Sequence, residues 1–96
     1  MLATVSFRPQ SAEISGPARA QLDRVAQSAK DMRMIEVRAY ASGADFTEAR
    51  NVALARGLSV RSYLLDHGVV RTRIEIGASA SDGNGLGADR VDILGP

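Results

Sequence analysis

The sequence predicts an α/β fold: a two-layer sandwich of βαβαββ order, with a four-stranded mixed sheet and two helices on one face. Three observations carry this expectation. Four short segments alternate apolar and polar residues with period two, as half-buried strands do. Two longer segments between the first three strands repeat their apolar residues at helical spacing. Every strand has one apolar and one polar face, so the sheet needs helices on one side and leaves the other wet. The 96 residues allow one two-layer core and not two, so 1–96 is read as a single domain.

In the first strand, "LATVSF", Ala3, Val5 and Phe7 alternate with Leu2, Thr4 and Ser6. Structure starting this close to the first residue suggests that the chain begins inside a longer protein. The first helix is expected in "SGPARAQLDRVAQSAK". Ser15 is its N-cap, Pro17 stands near the first helical position, and Ala18, Leu22, Val25, Ala26 and Ala29 form its buried stripe. In "MIEVRAY", Ile35, Val37 and Ala39 face one way and Glu36, Arg38 and Tyr40 the other. The loop "ASGAD" leads to a second helix from about Thr47 to His67. Gly68 ends it, and His67 lies where the helix dipole favours a cation. "RTRIEIGA" puts Ile74, Ile76 and Ala78 on one face, and "DRVDIL" puts Val91 and Ile93 inward. Ile35, Val37, Ile74, Ile76, Val91 and Ile93 should therefore line one sheet face beneath both helices.

At about 100° per residue, Ala49, Ala53, Gly57, Val60 and Leu64 form the centre of the second helix's apolar surface. Leu54, Leu58 and Leu65 lie to one side; Val52, Arg56 and Tyr63 lie to the other. The leucine flank is expected to cover the first helix, with a dimer contact as the competing reading. Arg56 is unusual beside a core stripe. Its simplest role is to bury its stem and keep its head in water.

Composition excludes several functions. Twelve basic and eleven acidic residues give a net charge of +1, which offers no footprint for nucleic acid or an anionic membrane. No apolar run is long enough to span a bilayer, so direct membrane insertion by these residues is not expected. With no cysteine and one histidine, no metal site is expected, and no cofactor is implied. "GNGLG" at 83–87 runs into a strand rather than a helix, so it reads as a connection and not a phosphate loop. No serine, histidine and acid combination suggests nucleophilic catalysis, so an enzyme is not expected.

The run "LARGLSVRSYLLDHGVVRTRI" resembles the second helix and following strand of the OmpA-like C-terminal domain family. Arg56, Val60, Tyr63, Leu64, Gly68, Val69, Arg73 and Ile74 fall in the family's register. "VSFRPQSAEISGPARAQLDRVA" resembles its first strand and helix, and "DRVDI" its last strand. The resemblance implies a non-catalytic peptidoglycan-binding module of the bacterial periplasm, part of a membrane-anchored or envelope protein. The family's arginine, here Arg56, would grip the carboxylate of a stem-peptide diaminopimelate through two parallel hydrogen bonds. The loop residues Ala41, Ser42 and Gly43 would complete the cradle, and Arg90 matches the second arginine of the family's last strand. The sequence departs from the pattern where Ala41 holds the position of the ammonium-binding aspartate and Asp89 that of the last strand's first arginine. Asp45 is a candidate replacement from the same loop, against its alternative role as a helix cap. The resemblance thus implies wall docking, with Arg56 partly exposed at the floor of a cleft beside loop 41–46. The alternative is a degenerate domain that serves as a protein-interaction or assembly module, with an envelope protein or a second copy as partner.

Overall fold

A computed structural model describes residues 1–43, 45–80 and 88–96. The elements, in chain order, are β1 (Ala3–Ser6), α1 (Gly16–Ala29), β2 (Ile35–Ala41), α2 (Phe46–Asp66), a 3₁₀ turn (Arg71–Arg73), β3 (Ile74–Ala80) and β4 (Arg90–Leu94). The sheet order is β1-β4-β2-β3. β4 runs antiparallel to both β1 and β2, while β2 and β3 pair in parallel, so the sheet is mixed as expected.

Local sequence explains the start of α1 and the end of α2. The Ser15 side chain accepts from the Ala18 N–H at 3.2 Å, satisfying one donor that the first turn of α1 leaves open. At the end of α2 the Val69 N–H donates to the Leu64 carbonyl at 3.0 Å and the Gly68 N–H to Leu65 at 3.2 Å. Gly68 has φ +97°, the left-handed conformation that this closing motif requires. Val69 and Leu64 are both buried beneath it.

The register sets the core. Ile35 faces Ile74, Val37 lies between Ile76 and Ile93, and Val91 lies between Ala39 and Val5. All the residues expected on the inner face are there, although Ile74 and Ile76 on the outer strand β3 are only half-buried. α1 buries Ala18, Leu22, Val25, Ala26 and Ala29, and α2 buries Ala49, Ala53, Gly57, Val60 and Leu64. At Gly57 the helix approaches the sheet closely. A Cβ there would stand 2.9 Å from Ile76 Cγ2 and 3.5 Å from Ala39 Cβ.

One expectation about α2 is overturned. The leucine flank does not cover α1: Leu54 is 45% and Leu58 37% exposed. The opposite flank faces α1, where the Tyr63 hydroxyl donates to Asp23 Oδ1 at 2.6 Å and Val52 and Tyr63 pack against the core. The cause lies in strand order. β4 enters between β1 and β2, so α2 lies over β2 and β3 and turns its Arg56 side toward the first segment. Glycine-rich stretch 83–87 lies outside the described residues.

Candidate functional site

The site starts from a turn with an unusual residue in it. After β1, residues 8–11 form a turn in which the Ser11 N–H donates to the Arg8 carbonyl at 3.1 Å. Pro9 presets the first central position, and Gln10 takes φ +62° at the second. That left-handed position costs a non-glycine residue about 1 kcal/mol. The turn presents the carbonyls of Arg8 and Ser11 to the interior, and Arg56 of α2 meets both. Arg56 Nε donates to Ser11 O at 2.7 Å, and Nη2 donates to Arg8 O at 2.9 Å. Nη1 donates to Tyr40 O at 2.9 Å and to Asp89 Oδ1 at 2.8 Å. The guanidinium carbon lies 5.2 Å from the centre of the Phe7 ring, within range of a cation–π interaction.

Arg56 is therefore 0% exposed, which corrects the expectation of a partly exposed clamp at a cleft floor. A snorkelling head is also excluded. Four acceptors from three separate segments compensate the lost hydration, as a buried charge requires.

Asp89 supplies the counter-charge. It stands just before β4 on the same parity as Val91 and Ile93, so its side chain is on the helix side of the sheet. Its carbonyl accepts from the Phe7 N–H at 3.0 Å, which pins it beside β1. Its carboxylate also receives the Ser42 N–H on Oδ1 at 3.1 Å and the Ser42 hydroxyl on Oδ2 at 2.9 Å. Burial pulls this carboxyl toward protonation. The hydrogen bonds from Arg56 and from Ser42, with the Arg56 charge, outweigh that and hold it below the usual carboxylate range. Three donors from two elements thus converge on a single carboxylate.

The other expected site residues divide around this cluster. Ser42 belongs to it. Ala41 ends β2, wholly buried on the inner face, and Gly43 follows as an exposed loop residue. Asp45 does not reach Arg56. Its carboxylate caps α2, accepting from the Glu48 N–H at 3.0 Å. Arg90 lies on the opposite face of the sheet, over the Tyr40 ring at 4.2 Å and with Nε 3.1 Å from Asp92 Oδ2. Asp89 is the residue that sequence reasoning missed. Two signals pointed to it: its alternation with Val91 and Ile93, and the need of a core-edge arginine for an anion.

The model of the OmpA family matches residues 6–90. This chain belongs to the OmpA family. Solved structures similar to this OmpA-family chain include the C-terminal domain of Helicobacter pylori MotB, 18% identical with TM-score 0.79, covering 100% of this chain and 85% of that one. The peptidoglycan-associated lipoprotein from Burkholderia pseudomallei is 20% identical with TM-score 0.79, covering 97% and 89%. The OmpA-like domain of FopA1 from Francisella tularensis is 14% identical with TM-score 0.80, covering 94% and 68%. At these identities the likeness speaks to the fold. No curated protein matches the sequence significantly. Among the described residues, no helix is long and apolar enough to cross a membrane.

Proposed function

We propose that residues 1–96 form one non-catalytic interaction module of a longer, periplasmic envelope protein, and that its carboxylate clamp is closed on itself. The observation that carries this reading is the complete burial of Arg56 against Asp89. Gripping a diaminopimelate would need a free guanidinium edge for the carboxylate and an anion for the ammonium. Here the guanidinium edge already holds Asp89 Oδ1. Ala41 brings no anion, and the Asp45 carboxylate is engaged at the start of α2.

A ligand would have to displace a carboxylate belonging to the same folded chain. Even a short flexible tether holds a group at an effective concentration on the order of millimolar, and a fixed one exceeds that. A stem-peptide carboxylate of equal intrinsic affinity would need to reach that level to fill half the sites. Envelope relatives such as the peptidoglycan-associated lipoprotein suggest where the module works. The closed clamp argues against wall docking through Arg56, and we therefore adopt assembly with an envelope protein or a second copy as the reading. Sedimentation with purified peptidoglycan tests this: the wild-type domain should stay in the supernatant. Wild-type protein that pellets with the wall, and is released by free diaminopimelate, would overturn the proposal.

A further inference from the structure

We infer that the free edge of β3, overhung by the leucine flank of α2, receives an extended acidic segment of a partner protein as a fifth strand. The inference rests on the interaction-module reading and names the surface and the chemistry of the partner.

Sheet order leaves β3 on the outside, and among the described residues it pairs with β2 alone. Proteins commonly shield such edges with short strands, prolines, basic side chains or bulges. The opposite edge strand, β1, follows that rule: it spans four residues and runs into the turn at Pro9. β3 does not. It is seven residues long, holds no proline, lysine or arginine, and pairs with β2 without a bulge from Ile74 to Ala80. One more strand would satisfy its outer row of backbone N–H and C=O groups.

Charge selects the occupant. α2 turns Arg56 and Tyr63 toward the first segment and α1, so its other flank overhangs the β3 edge. That flank carries the exposed Leu54 and Leu58 together with Arg50 and Arg61. The acidic residues of α2, Glu48 and Asp66, fall by helical spacing on the face away from the sheet. Arg61 Nε is shielded from water and has no hydrogen-bond partner, a cost that a bound acceptor would remove. A second copy adding its own β3 would bring only isoleucine and alanine to the helix side and its one acid, Glu75, to the wet side. Both arginines would then lack an anion. The occupant that fits is a strand with acid, apolar residue and acid on its helix-facing side. Arg50 and Arg61 are eleven positions apart, about 16 Å along a helix. Acids four positions apart in a strand stand about 13 Å apart, a difference that arginine side chains span.

The experiment is an NMR titration of the isotope-labelled domain with the capped peptide Thr-Glu-Thr-Val-Thr-Glu-Thr, whose pattern reads alike in either strand direction. Amide signals should shift along Ile74–Ala80 and at Leu54, Leu58 and Arg61. Arg61→Gln should weaken binding about fivefold. A peptide with lysine in place of both glutamates should bind about twentyfold more weakly, since two ion pairs are lost. A peptide N-methylated at every residue should not bind, because it has no N–H to complete the ladder. The inference is overturned if the acidic peptide does not bind at millimolar concentration, if the shifts fall elsewhere, or if the lysine peptide binds as well. It is equally overturned if a second copy already covers the β3 edge of the free domain. Failure here leaves the closed clamp standing, whereas wild-type sedimentation with the wall removes the closed clamp itself.

Discussion

Replacing Arg56 with methionine isolates the polar work of this side chain, because methionine roughly conserves volume and keeps the cavity term small. The substitution takes the donors from three backbone carbonyls, those of Arg8, Ser11 and Tyr40, and from Asp89 Oδ1. Breaking one side of a buried ion pair costs about 3–5 kcal/mol. Each buried acceptor left without a partner costs about 1–3 kcal/mol more. Water reaching Asp89, which is 18% exposed, and Ser42, which still donates to it, reduce the first figure. The second is reduced because the Arg8 carbonyl retains the Ser11 N–H. The expected loss is therefore about 5 kcal/mol, comparable to the whole stability of a domain at the lower end of the usual range of about 5–15 kcal/mol. Arg56→Lys keeps a charge near Asp89 but cannot reach four acceptors in one plane, so about 2–3 kcal/mol should be lost. Urea unfolding followed by circular dichroism measures both, with the slope held as a check on two-state behaviour. If Arg56→Met lies within about 1 kcal/mol of wild type, the guanidinium is not what joins these segments, and the reasoning fails.

The depressed Asp89 carboxyl predicts an acid dependence. Because its folded pKa lies below the unfolded value of about 3.9, its contribution is fully present above that value and is lost as pH falls through the folded pKa. The stability difference between wild type and Asp89→Asn should accordingly be flat near neutrality and shrink below about pH 4; a difference that grows on acidification would contradict the sign. Gly57→Ala should destabilise by about 1–3 kcal/mol, despite alanine's helix preference of about 1 kcal/mol, since the new methyl meets Ile76 at 2.9 Å. An unchanged urea midpoint would show that α2 can lift without cost. Ile93→Ala, on the enclosed strand β4 and 0% exposed, should cost about 2–5 kcal/mol. Ile76→Ala, half-buried on outer strand β3, should cost clearly less, and equal losses would refute the ranking of the strands by burial.

Local periodicity was enough to read most of the architecture. A strand shows its two faces in consecutive residues, and a helix shows its stripe within two turns, so the inner faces of β2 and β4 and the buried residues of α1 and α2 were legible in the chain alone. The same holds for the Ser15 cap and the Gly68 stop, which depend on neighbours three or four residues away. The family register reached further and placed Arg56 at the candidate site. The direction in which α2's flanks turn was not legible, because it follows from β4 entering between β1 and β2, a pairing between distant segments. Nor was the closure of the site. Arg56 and Asp89 are 33 positions apart, and each is an ordinary surface charge by composition. Only the fold brings the turn at Gln10, the end of β2 and the start of β4 to one point beside α2. A guanidinium enclosed there must be neutralised by whatever anion the topology delivers, and in this chain that anion is the protein's own.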